Sequence, residues 1–258
     1  MSLTSVLLAN ASLFALVASR IGGFVVVSPF PGQNVGKRQR VGLVVVLAWV
    51  ACAFAPAEGA PRSLGLDLVG SALLEVIWGV LIGVAFRLMF AAAEVLGEVL
   101  GLVTGLGTPS VLNPTLDAAE TPIARVVGLV AMLIALAMGV HRVALAGLLE
   151  SFRAIPVGTA AALDTPLLRW VELGIDAFVV GVRLATPIMA IGLLVHVALA
   201  MISRAAPSLQ IFTVGFAILF VSTLATLLTC FDDIAAGLAS HFAQLASVLD
   251  EALTATRR

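Results

Sequence analysis

The sequence predicts an all-α, polytopic helical membrane protein, and three observations carry that expectation. Of its 258 residues, 61% are hydrophobic and 11% are charged, whereas an ordinary soluble domain is roughly 25% charged. The mean hydropathy is +1.14, and the apolar runs leave room for about six helical spans of about 20 residues each. Stretches rich in glycine and proline divide those runs, so several helices follow one another. A net charge of −1 argues against a nucleic-acid partner, which would call for a basic patch or stripe. Cys52 and Cys230 sit inside apolar segments without the paired spacings of a disulfide framework or a zinc site. No cofactor and no metal is expected.

The first apolar segment, Val6 to Val27, is preceded by no positively charged n-region, so it is expected to be a retained first helix. The stretch SPFPGQNVGKRQR ends it, and the basic cluster Lys37, Arg38 and Arg40 is assigned to a short cytoplasmic loop by the positive-inside rule. A second segment, Val41 to Ala55, stops at PAEGAPRSLG. The third, Leu68 to Gly105, is too long for one span at about 1.5 Å per residue unless it tilts strongly or leaves the bilayer. Beyond it, GLVTGLGTPSVLNPT carries Gly105, Gly107, Pro109 and Pro114, which take the backbone out of helix geometry. At membrane depth such backbone is tolerated only where protein buries it or it lines a cavity. A fourth segment, Ile123 to Leu149, follows. The last two, Val171 to Ser203 and Leu209 to Phe231, meet at a tight RAAPS turn and read as a long helical hairpin with a kink at Pro187.

Ionisable groups inside apolar helices face protein or a wet cavity and pair with one another. Two stripes stand out at about 100° per residue: Arg87, Glu94 and Glu98 on the third segment, and Arg169, Glu172, Asp176 and Arg183 on the first arm of the hairpin. Gly97 and Gly101 lie beside the first stripe at the spacing that lets another backbone approach closely. The stripes read either as buried ion pairs holding helices or subunits in register, or as a water-lined or proton-linked path. Catalytic signals are poor. His141, His196 and His241 are scattered, and Ser151, ten residues after His141, lies in nothing that resembles a nucleophile elbow. A histidine hydrogen-bonded at a helix contact explains His141 better than an intramembrane protease does.

Three stretches go beyond composition. GVHRVALAGLLESFRAIPVG, Gly139 to Gly158, resembles the segment of the FliR family of flagellar type III export-gate proteins with a glycine-histidine pair, a leucine-rich turn, Ser-Phe and Pro-x-Gly. SRAAPSLQIFTVGF, Ser203 to Phe216, resembles that family's Arg-x-x-Pro-Gln-Leu-x-Ile-Phe-x-x-Gly-Phe motif, and SPFPGQNVGKRQRVGL resembles its first basic loop. Their order and spacing extend the resemblance over nearly the whole chain. Ser151, Phe152, Pro156 and Gly158 tilt it toward FliR over the injectisome counterpart, the SctT family.

The resemblance implies a non-enzymatic export-gate subunit in the bacterial inner membrane, raised toward the periplasm, which closes a helical assembly of FliP-like and FliQ-like subunits. Residues 1–160 would be FliP-like and 161–258 a FliQ-like hairpin with its turn at about 203–208. Arg204, Pro207, Gln210 and Phe212 would form a cytoplasmic turn contacting partners, including an FlhB-like subunit, and exported proteins would pass in transit. The loop at about 105–115 would plug the pore through Gly105, Gly107, Thr108, Pro109, Ser110, Val111, Leu112, Asn113 and Pro114. Family members commonly place bulky aromatic residues and an Asp-Pro pair there, so the seal implied for this chain is aliphatic. Ser208 and Gln210 likewise stand where Gln and Asn are usual, and Ala217 where Pro often follows Gly-Phe.

Two other classes remain open from the residues alone. A secondary transporter would bind a small solute near midplane at the break from Gly105 to Pro114 and should show an inverted repeat; none is visible. A purely structural membrane scaffold would use the stripes as assembly contacts.

Overall fold

A computed structural model of the chain describes residues 3–30, 36–53, 66–106, 121–158, 164–205, 211–245 and 247. Every regular element among them is a helix: α1 (Leu3–Val27), α2 (Lys37–Ala51), α3 (Leu66–Val103), α4 (Pro122–Ala137), α5 (Val140–Ala154), α6 (Asp164–Ala205), α7 (Ile211–Thr229) and α8 (Phe231–Ala243). The apolar segments expected from the sequence are thus helices, with three differences. Lys37, Arg38 and Arg40 form the first turn of α2 and not a loop. Gly36 supplies no side-chain cap there, and cations at a helix N-terminus oppose its macrodipole. Second, the fourth segment is two helices, bent by 67° at Met138 and Gly139, where Gly139 has φ +75°. Third, the helix after the last turn runs beyond Phe231 with a 62° bend at Cys230. The hydroxyls of Ser222, Thr226 and Thr229 all donate to carbonyls three or four residues back on the approach to that bend. Back-bonding of this kind bends helices. The helix α6 runs on through Pro187.

Two of the helices, over Asp67–Val103 and Trp170–Arg204, are long and apolar enough to cross a membrane, and each bent pair counted as one span raises the total to four among the described residues. The 38 residues of α3 extend about 57 Å, nearly twice the hydrocarbon core. Many outward side chains are apolar, as with Val45, Val46 and Trp49 on α2 and Leu129 and Leu133 on α4. Surfaces of that kind suit lipid or protein partners.

The chain divides into two compact units, one of Met1–Met89, Gly139–Gly174 and Ala243–Arg258, the other of Phe90–Met138 and Ile175–Phe242. The first has a core of large side chains, including Leu16, Ile21, Phe86, Leu148 and Phe152, all nearly fully buried. Phe86 stacks with Phe24 and Phe30, with ring centroids 6.2 and 5.8 Å apart. In the second, Leu96, Leu100, Ala131, Ala135 and Ile188 are buried.

Candidate functional site

Within the first unit, one charged pair lies in the middle of the apolar core. Arg20 of α1 is 0% exposed and its Nε donates to Glu75 of α3 at 2.5 Å. The remaining guanidinium groups reach the end of α5: Nη1 donates to the Ser151 carbonyl at 3.0 Å and to Ser151 Oγ at 3.3 Å, and Nη2 to the Ile155 carbonyl at 3.1 Å. The Phe152 ring lies under the guanidinium, 4.5 Å from its carbon to the ring centroid, a cation–π arrangement. Glu75 uses its other oxygen to accept the Gly158 N–H at 2.9 Å.

A buried ion pair is tolerated only when its remaining donors and acceptors are satisfied, and here backbone groups do so. The Ile155 carbonyl, at the C-cap of α5, lies where an ending helix leaves carbonyls without intrahelical partners, and the Ser151 carbonyl accepts the Ile155 N–H at 2.9 Å as well as the guanidinium. Gly158 has φ +83°, a conformation glycine adopts without the Cβ penalty, and it turns its N–H toward Glu75. The pair therefore fixes the turn Ile155 to Gly158 against α1 and α3. Close helix packing permits it: a Cβ on Gly79 would strike the Arg20 carbonyl of α1. Ser151 also donates to the Leu148 carbonyl at 2.6 Å, so its hydroxyl serves this polar centre. The His141 ring lies 6.3 Å from that of Phe30.

In the second unit, the end of α3 and the start of α4 are brought together. At the end of α3, Thr104 Oγ1 donates to the Leu100 and Gly101 carbonyls at 2.8 and 3.1 Å, and Gly105 takes φ +75°, which ends the helix. The next described helix, α4, opens with Thr121 as N-cap, its hydroxyl accepting the Ala124 N–H at 3.3 Å, and Pro122 follows at the first helical position. These two ends touch. A Cβ on Gly97 would lie 2.8 Å from Ala124 Cα, and one on Gly101 would lie 2.7 Å from Thr121 Oγ1. Gly97 and Gly101 thus sit against the first turn of α4 and its N-cap.

Of the residues singled out from the sequence for the plug, Gly105 ends α3, while Gly107, Thr108, Pro109, Ser110, Val111, Leu112, Asn113 and Pro114 lie outside the described residues. Arg87, Glu94 and Glu98 are all exposed on α3, and Glu172, Asp176 and Arg183 are exposed on α6. This chain does not itself bury them. Arg169 falls in α6 and Phe212 in α7, as helix positions only. Arg204 is exposed in the last turn of α6, and Pro207 and Gln210 lie outside the described residues.

Sequence reasoning missed Arg20 and Glu75. Part of the signal was present: Arg20 is the one charge in the apolar helix α1, which by itself calls for a buried partner, whereas Glu75 shares α3 with four other charges. A search for charges repeating along one helix passes over partners 55 residues apart on two helices.

Comparison with known proteins follows the same residues. The family model for bacterial export proteins, family 1, matches residues 11–245. A flagellar biosynthetic protein FliR from Pectobacterium carotovorum subsp. carotovorum is 30% identical over 200 residues, 77% of this chain and 76% of that protein. The FliR of Caulobacter vibrioides is 26% identical over 209 residues, 78% of this chain and 81% of its own length. The Yop proteins translocation protein T of Yersinia pestis is 28% identical over 203 residues, 74% and 76% of the two chains.

Proposed function

We propose a function from this premise: the chain belongs to the family of bacterial export proteins, family 1. It is a subunit of a type III protein export gate of the flagellar class, which helps form and plug the channel through which unfolded substrates cross the inner membrane. The observation that carries this is the extent of the family match, residues 11–245, alongside flagellar relatives over about three quarters of the chain.

The geometry supports a role in assembly and closure rather than catalysis. Ser151, Phe152 and Gly158, three of the residues by which the sequence resembles the family, are the ones the Arg20–Glu75 pair engages. Carboxylates and guanidiniums at Glu94, Glu98, Asp176 and Arg183 are ill-suited to lipid and suit contacts with dissimilar subunits. Those partners are FliP-like and FliQ-like chains in several copies, with an FlhB-like subunit at the turn bearing Arg204, Pro207, Gln210 and Phe212. Residues 1–160 act as the FliP-like part and 161–258 as the FliQ-like hairpin. The segment from Gly105 to Pro114, in sequence between Gly101 and Thr121, is the plug, with an aliphatic tip.

Removing Thr108 to Asn113 tests the plug. The assembled complex is expected to form and the host membrane to become leaky to ions and small molecules. Unchanged permeability in a properly assembled complex defeats the plug reading. Purification in mild detergent tests the assembly: two small hydrophobic proteins should accompany the chain in multiple copies.

The Yersinia relative favours a second reading, an injectisome gate subunit of the SctT class. Restoring motility to a strain lacking its flagellar subunit, against restoring secretion to one lacking the injectisome subunit, separates the two.

A further inference from the structure

The outward face of α2 is ordered in a way that the export reading does not use. Counting by fours, Lys37, Val41, Val45 and Trp49 form one row along the helix, and Arg38, Gly42, Val46 and Val50 form the row beside it. All of them are exposed, and Trp49, at 77%, is the most exposed of the large apolar side chains described. The other side is turned inward: Ala48 and Ala51 are buried, and α2 packs on α1 within the first unit. A contiguous apolar face of this kind calls for something apolar to cover it.

The charge at its end says what the cover is. Each row is headed by a cation: Lys37 and Arg38 are exposed and make no ion pair among the described residues, and the half-buried Arg40 adds a third positive group to the same turn. Nothing acidic offsets them nearby in sequence, since the first 57 residues hold Arg20, Lys37, Arg38 and Arg40 and no Asp or Glu. Arg20 is already answered by Glu75. The second row is notched at Gly42, where a Cβ would meet nothing within 4 Å. From Val41 to Val50 the helix rises about 14 Å, close to half of a hydrocarbon core of about 30 Å, and α2 is not among the helices long and apolar enough to cross a membrane. The face thus has the depth of one leaflet, with positive charge at one end. A protein partner would have to carry acidic groups to the end of an otherwise apolar surface, whereas a lipid carries its phosphate there by its own architecture.

We propose that the outward face of α2 is a binding site for an anionic phospholipid. The headgroup phosphate is held between the Lys37 ammonium and the Arg38 guanidinium by charge-assisted hydrogen bonds. An acyl chain runs along the two rows, through the notch at Gly42, to the Trp49 ring. A zwitterionic lipid offers the same chains but brings its own ammonium group beside the phosphate, so the two cations select against it.

The test uses Trp49 as the reporter, in the full chain by itself and in the complex that purifies with it, each in phosphatidylcholine nanodiscs. A brominated lipid quenches a tryptophan only on contact, and the Trp49 share of the emission is the part lost in Trp49→Phe. Brominated phosphatidylglycerol should quench that share at a low mole fraction and saturate, whereas brominated phosphatidylcholine at the same fraction should not. Lys37→Gln and Arg38→Gln should each raise the half-quenching fraction about fivefold, while Lys37→Arg and Arg38→Lys leave it in place. Both side chains are exposed, so these changes disturb no packing. Gly42→Leu, which has room for its side chain, fills the notch and should also weaken quenching by phosphatidylglycerol. Equal quenching by the two lipids overturns the proposal, and so does a preference that survives Lys37→Gln combined with Arg38→Gln. If neither lipid quenches Trp49 in the purified complex, a protein covers the face and the proposal fails.

Discussion

In the first compact unit a buried charged pair is added to close glycine packing of α1 on α3, whereas in the second the glycine contacts stand without a buried ion pair among the described residues. Arg20 and Glu75 tie α1, α3 and the turn after α5 by directional bonds to the Ser151 and Ile155 carbonyls and the Gly158 N–H. Gly97 and Gly101 bring α3 onto the first turn of α4, and Gly181 brings α6 against Ala92 and Val95, by removing the side chains that would hold them apart. Polar bonds at one buried point fail together, because losing one member leaves the others desolvated and unpaired. Contacts made by shape weaken by degrees and can part without exposing an unsatisfied group. The turn Ile155 to Gly158 is thus held by directional bonds, while the contact between α3 and α4 rests on shape.

The largest effect expected is at the charged pair. Arg20→Ala leaves Glu75 buried without its counter-charge and the Ile155 carbonyl without the guanidinium donor, and should destabilise the chain by about 3–5 kcal/mol, read as a lowered melting temperature in detergent and loss of the full-length chain from membranes. Pairing Arg20→Met with Glu75→Met should recover much of it, since apolar replacement of both partners removes the stranded charge. If the double variant is no better than the single one, the pair is not acting as a unit and the contrast between the units fails.

Next in size is Gly97→Val. Its Cβ meets the Ala124 backbone, which cannot turn away as a flexible side chain would, so about 1–3 kcal/mol is expected from overpacking. Amide exchange should quicken at the α3–α4 contact and stay unchanged around Ser151 and Ile155. An equal rise in both places would show the two units melting as one. Smallest is Thr121→Ala, which removes the cap of α4 and should cost about 1 kcal/mol, with faster exchange confined to the first turn of that helix.

Helix positions were largely legible because long apolar runs and their breakers are local signals. The end of α3 near Gly105 and the start of α4 near Thr121 both fall beside the glycine and proline cluster that marked them. The bend at Cys230 was not legible, since no glycine or proline stands there and its cause is a run of hydroxyls that reads in sequence as ordinary apolar helix. The charged stripes were visible from their spacing. Their exposure was not, because periodicity shows which residues share a face and is silent on what that face meets.

By itself, the sequence determined that this chain is helical, apolar and interrupted after α3, and its motifs tied it to an export family. Those properties follow from composition and from residues a few positions apart. Only the tertiary structure decided that Arg20 finds Glu75, 55 residues away, and Ser151, 131 residues away. Such pairing depends on which helices pack together, and neither helical periodicity nor local propensity encodes the partner of a single buried charge.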